Sequence, residues 1–129
     1  MITQEKSRSY YDAKIKASTG IFLGYLSPEE FRPIMDECLL WLKSKQSDKQ
    51  LNDVKRMKPL KKEIQIWMNE VWFPKAKETG LKYMAFVIPD DIFGKMSLEG
   101  ANKSAPNKFN IEIQYFNDIE NAKQWLSTK

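Results

Sequence analysis

The chain of 129 residues contains no histidine and a single cysteine, Cys38. Without imidazole it lacks the commonest general base and the commonest metal ligand, and no Ser-His or Cys-His nucleophile pair can be assembled. One thiol forms neither an intramolecular disulfide nor a thiolate metal cluster. The apolar runs fall well short of the ~20 residues that cross a bilayer. Residues 1 to 9 are polar where a signal peptide would be apolar. Charge of one sign is scarce as well: 21 basic against 17 acidic residues leave +4, below the density of a dedicated nucleic-acid binder. These absences lead us to expect a cytoplasmic protein with no metal, no cofactor, no nucleic-acid partner and no catalytic pair.

What is present is ordinary for a globular domain, with 42% hydrophobic and 29% charged residues. We expect a polar arm over residues 1–9 and one domain over 10–129, long enough for one sizeable core. Tyr11, Ala13, Ile15 and Ala17 alternate with polar neighbours, the pattern of a half-exposed strand. Ser18-Thr19-Gly20 reads as a turn and Ile21 to Leu26 as the second strand of a hairpin. Ser27-Pro28-Glu29-Glu30 is a helix start, with a capping serine, proline at the first helical position and glutamate three residues on. Phe31, Ile34, Met35, Cys38, Leu39 and Leu42 then share one helical face.

Lys49 to Val54 reads as a strand, and residues 59–79 as a second helix closed by Gly80. Leu60, Ile64, Trp67, Met68, Val71 and Trp72 form its broad apolar face, while Ile66 and Phe73 fall opposite. Pro74 should kink or end this helix near residues 70–73. Lys82 to Ile88 is nearly unbroken apolar sequence, as in a parallel strand covered on both faces. Residues 90–108, rich in Gly, Asn, Lys and Ser, leave room for one irregular helical turn. Phe109, Ile111, Ile113 and Tyr115 alternate as a last strand, and Asn117 or Asp118 caps a short helix carrying Ile119, Ala122, Trp125 and Leu126. The fold class is therefore α/β: a mixed, mostly parallel five-stranded sheet with an N-terminal hairpin and about four helices.

This order resembles the STAS domains, the fold of the bacterial anti-sigma-factor antagonists. The residues that carry the likeness are Asp53 closing the third strand, Trp72-Phe73-Pro74, the apolar strand of residues 83–88 and the closing Asn121-Ala122-Lys123-Gln124-Trp125-Leu126. It is most similar to the divergent branch grouped with the CRAL-TRIO lipid-binding fold. The resemblance implies a non-enzymatic regulatory domain that binds a protein partner and is switched by phosphorylation at the start of the second helix. The chain departs from that pattern, because residues 48–78 contain no serine or threonine. A phosphoswitch at the usual place is excluded.

Five of the 21 basic residues fall within residues 55–62: Lys55, Arg56, Lys58, Lys61 and Lys62. They would sit beyond a strand's carboxyl end and at a helix N-terminus, where α/β proteins bind ligands and exposed amides favour anions. A charge run is more often a solvated face. Asp53 is either a carboxylate facing the same cleft or a turn residue pairing with Lys55 or Arg56. Ile66, Trp72 and Phe73 are candidates for an apolar pocket or a homodimer contact, whereas Trp67 reads as core. Cys38, on an apolar face, reads as a buried small hydrophobe. The favoured expectation is an interaction module presenting the basic loop to a protein. The runner-up is a carrier of a small apolar, lipid-like ligand, with its mouth between the second helix and residues 90–108.

Overall fold

The computed structural model describes residues 5–129. One five-stranded sheet runs through it in the order β1 (Arg8–Asp12), β2 (Ala17–Gly24), β3 (Lys49–Met57), β4 (Tyr83–Val87), β5 (Glu112–Phe116). β1 and β2 pair antiparallel, and every other neighbour is parallel. Each parallel pair needs a crossover, supplied in turn by α1 (Pro28–Ser44), by α2 (Lys62–Trp67) and α3 (Phe73–Thr79), and by α4 (Ile92–Asn102) and α5 (Ala105–Lys108). These helices build the larger core on one face, around Met35, Leu42, Ile64, Trp72, Met84 and Phe86. α6 (Ile119–Ser127) covers the other face, laying Ala122 and Leu126 on Leu51, Ala85 and Val87.

The start of α1 forms as its sequence requires. Ser27 Oγ accepts from the Glu30 amide at 3.2 Å, and Glu30 Oε1 accepts from the Ser27 amide at 3.0 Å. α6 is capped by Asp118, which accepts from the Asn121 amide at 2.8 Å.

The hairpin turn lies earlier than its sequence suggests. It occupies residues 13–16, where Asp12 Oδ1 accepts from the Lys14 amide and Lys16 takes φ 56°. Ser18-Thr19-Gly20 is instead buried mid-strand. β2 has a paired strand on each side and helix α1 over it, so small residues are needed for close approach. A side chain at Gly20 would come within 2.7 Å of the Phe22 ring. The small residues that mark a turn in isolation here mark a crowded central strand. Within the polar arm, residues 7 and 9 are tied to the domain: the Leu23 amide donates to Ser7 Oγ at 2.8 Å and Ser9 Oγ donates to Glu37 at 2.6 Å. Residues 1–4 lie outside the described residues.

Three further boundaries move. β3 runs on to Met57 because an extra residue is accommodated between Asp53 and Arg56, where the partner strand advances only from Ile21 to Leu23. This bulge shifts the alternation by one, so Val54 and Met57 face the same core. The 90–108 segment is mostly helical, through α4 and α5, with Asp91 capping α4 by accepting from the Phe93 and Gly94 amides. Phe109 precedes β5 rather than beginning it.

The second crossover helix is interrupted by a π turn over Met68–Trp72. Pro74 has no amide hydrogen and its ring crowds the carbonyl a turn earlier, and a widened turn relieves both. The extra residue also rotates everything after it by about 100°. Phe73, opposite the apolar stripe in an unbroken helix, is thereby carried into the core. Trp72 and Phe73 are both 0% exposed, with rings edge-on at 5.1 Å. The expectation that they line an apolar pocket or a homodimer contact is corrected for these two, which are core. Of that trio Ile66 alone is exposed, at 45%.

Candidate partner-binding site

At the carboxyl ends of the parallel strands the chain turns from β3 into α2 through Lys58-Pro59-Leu60-Lys61. This strap is tied on both sides. The Lys58 amide donates to the Gly24 carbonyl at 3.0 Å, which places it beside the end of β2. The buried Leu60 amide donates to Ser97 Oγ at 2.9 Å, and that hydroxyl donates to the Gly94 carbonyl at 2.9 Å, which places it beside the first turns of α4. Lys61 stands at the N-cap of α2 and contributes no side-chain cap.

The five basic residues do not form one cluster. Lys55 and Arg56 lie on β3 itself, not in a loop after it. Lys55 Nζ is ion-paired with Asp90 at 3.0 Å, and Arg56 grips Glu5 through both terminal nitrogens at 2.7 and 2.9 Å. That fork holds the Glu5 carboxyl below its ordinary pKa, chiefly through the Arg56 hydrogen bond, and raises Arg56 in return. Asp53 is half-buried, and its Oδ1 accepts from the Lys55 amide at 3.2 Å, so it shapes the bulge. Lys58, Lys61 and Lys62 are exposed and make no ion pair among the described residues. Nearby Glu30 is engaged in its capping box, whose hydrogen bonds with Ser27 lower its pKa ahead of a smaller contribution from Lys61. The acidic partners of Lys55 and Arg56 come from distant segments, so a window count of lysine and arginine overstated the free charge.

Around the strap stand side chains that the sequence reading does not single out as a site. Tyr25 follows Gly24 and is 75% exposed, while Phe93 and Met96 on α4 are 69% and 60% exposed. Large apolar groups left in water at one end of a sheet, beside unpaired lysines, have the composition of a recognition surface. The clue available in sequence was that Phe93 and Met96 lie off the Leu98–Ala101 face that packs.

Elsewhere the chemistry is quiet. Cys38 is buried, its Sγ accepting from Gln50 Nε2 at 3.2 Å. Burial pushes its thiol up to about 11, against the smaller lowering effects of Gln50 and Ser18. Cys38 is therefore expected to react with iodoacetamide at least about a hundredfold more slowly in the native chain than in urea. Equal rates would contradict its place under α1. Because the folded pKa lies above the ordinary 9.0, this thiol's contribution to stability is intact below pH 9 and declines between pH 9 and about 11. Tyr115 is raised by burial against the hydrogen bond from Asn102. Among the described residues no three acidic or thiol side chains converge as metal ligands, and no helix is long and apolar enough to cross a membrane.

Element order, register and a helix layer on each face define a STAS-like α/β architecture. No protein-family model matches the chain, and no curated protein matches it. Among solved structures it is similar to an uncharacterised protein of the DUF3478 family with a SpoIIAA-like fold from Shewanella loihica PV-4. The superposition covers 98% of this chain and 99% of that one at a TM-score of 0.55, with 16% sequence identity. The fold is thus SpoIIAA-like, and at that identity the likeness speaks for the fold alone.

Proposed function

We propose that this protein is a recognition module that captures a protein partner without chemically altering it. The observation that carries the reading is a strap bearing exposed Lys58, Lys61 and Lys62 whose backbone is hydrogen-bonded to Gly24, next to exposed Tyr25, and to Ser97 of α4, the helix that carries exposed Phe93 and Met96. A segment carrying acidic residues next to a large apolar side chain complements it. Such a partner would bury the apolar tips, while the lysines set its orientation and speed its approach. The STAS-like fold supports an interaction role as analogy.

The carrier reading is less well supported. The void between α2, α4 and the sheet, lined by Met68, Leu98, Phe22, Phe86, Asn52 and Asn102 among others, measures about 10 Å³. That is far below the several hundred Å³ of a small-molecule pocket.

Crosslinking in cells followed by mass spectrometry would identify a partner, whose affinity is then measured with purified components. The triple variant Lys58→Glu/Lys61→Glu/Lys62→Glu is expected to weaken binding by at least about tenfold while the melting temperature stays within about 2 °C. Phe93→Ser should weaken it comparably. Unchanged affinity in both variants would remove this surface from the function, and a co-purifying lipid in native mass spectrometry would return the argument to the carrier.

A further inference from the structure

On the opposite side of the molecule from α6, helix α1 turns a second stripe to solvent. Pro33, Asp36, Glu37, Leu40, Lys43 and Ser44 are exposed along it, and Leu40 is 65% exposed. Leu40 is a ridge between two grooves. One, of about 630 Å³, is lined by Glu37, Leu40, Trp41, Lys43 and Ser44. The other, of about 350 Å³, lies towards α3 and is lined by Leu39, Leu40, Lys43, Lys75, Glu78 and Thr79.

Two features of this face agree on one occupant. The first is shape: residues 37, 40, 41 and 44 stand at i, i+3, i+4 and i+7, the four corners of the hole that receives a knob from a facing helix. Leu40 is itself such a knob, so knob and hole lie on one surface, as a two-fold interface between identical chains requires. The second is charge. Glu37 and Lys43 lie three residues either side of Leu40. When two copies of α1 pack antiparallel about a two-fold axis through Leu40, each Glu37 faces the other copy's Lys43, and the pair occurs twice by symmetry. Ser9 Oγ, donating to Glu37 Oε1 at 2.6 Å, holds that carboxylate in place and leaves its second oxygen for the lysine.

We infer that this face is a homodimer interface, with α1 packed against a second copy of itself, Leu40 against Leu40 and two reciprocal Glu37–Lys43 pairs flanking them. This relocates the self-association expected of Ile66 and Phe73, since Phe73 is enclosed in the core. It is independent of the surface at Lys58–Lys62, which lies at the ends of the strands and stays open in such a dimer.

Sedimentation equilibrium of the full chain tests it. The wild type should show a concentration-dependent dimer with a Kd on the order of micromolar, as a small interface allows. Leu40→Asp should sediment as monomer. Lys43→Glu and Glu37→Lys should each weaken the dimer by at least about tenfold, because one change creates two like-charge contacts. The double variant Glu37→Lys/Lys43→Glu restores both pairs with their signs exchanged and should return within about threefold of wild type. All three positions are exposed, and circular dichroism melts confirm that each of the four variants folds. A wild type that stays monomeric near 1 mM, or a charge swap as weak as its single components, overturns the proposal. So does a dimer abolished by Ile66→Asp and indifferent to Leu40→Asp.

Discussion

Replacing Phe73 with glutamate is expected to abolish cooperative folding. Phe73 is 0% exposed, edge-on to the equally buried Trp72, and Trp72 Nε1 donates to the Met35 carbonyl at 2.8 Å. Deleting a buried phenylalanine costs about 3–5 kcal/mol, and setting an unpaired carboxylate in its place adds several more. The sum reaches the whole stability of a typical domain, about 5–15 kcal/mol. Phe73→Leu keeps an apolar side chain in place and is expected to cost about 1.5 kcal/mol. Circular dichroism melts of the two variants decide the matter. A Phe73→Glu protein that melts cooperatively near the wild-type temperature would mean that the ring faces solvent and that the helix has no π turn.

The second large effect is expected at Asn69, inside the π turn. Its Nδ2 donates to the Gln65 carbonyl at 3.0 Å and to the Gly100 carbonyl at 2.8 Å. Its Oδ1 accepts from the Ser104 amide at 3.0 Å and from Ser104 Oγ at 2.6 Å. One amide thus satisfies the opened helix and latches it to the end of α4 and the start of α5. Asn69→Ala leaves these part-buried groups without partners and is expected to cost about 2 kcal/mol, a fall of roughly 8 °C in melting temperature. Hydrogen exchange should report where the loss falls. Amides of residues 92–108 should exchange faster, while those of β3 and β4 keep their protection until global unfolding. Uniform acceleration across the sheet would show that Asn69 is not a local latch.

Much of the fold was legible in the sequence because its signals were local. The capping box at Ser27 and Glu30, the apolar stripe from Phe31 to Leu42, the uninterrupted strand before Ile88 and the left-handed Gly80 at the end of α3 each depend on a few neighbouring residues. Signals of that kind survive into the tertiary structure. Pro74 even announced a disturbance of its helix, but not its form. A proline can be met by a kink, a stop or a π turn, and only the packing of Trp72 and Phe73 against α1 selects the last.

The candidate site was legible in part. Lys58, Lys61 and Lys62 stand in solvent as their sequence position suggests, yet Lys55 and Arg56 are taken up by Asp90 and Glu5, separated from them by 35 and 51 residues. Pairings across such distances leave no trace in a window of eight residues. The same holds for Tyr25, Phe93 and Met96, whose exposure depends on what the fold leaves uncovered rather than on their own character.

By itself, then, the order of residues determined the α/β class, the hairpin followed by parallel crossovers, the capped first helix and the lack of imidazole or clustered thiol chemistry. Each of these follows from backbone preference or from composition. The tertiary structure alone decided that Ser18-Thr19-Gly20 is a crowded strand, that Phe73 is core and that the basic run is split. These depend on which distant surfaces meet, and burial and charge pairing are properties of the assembled chain.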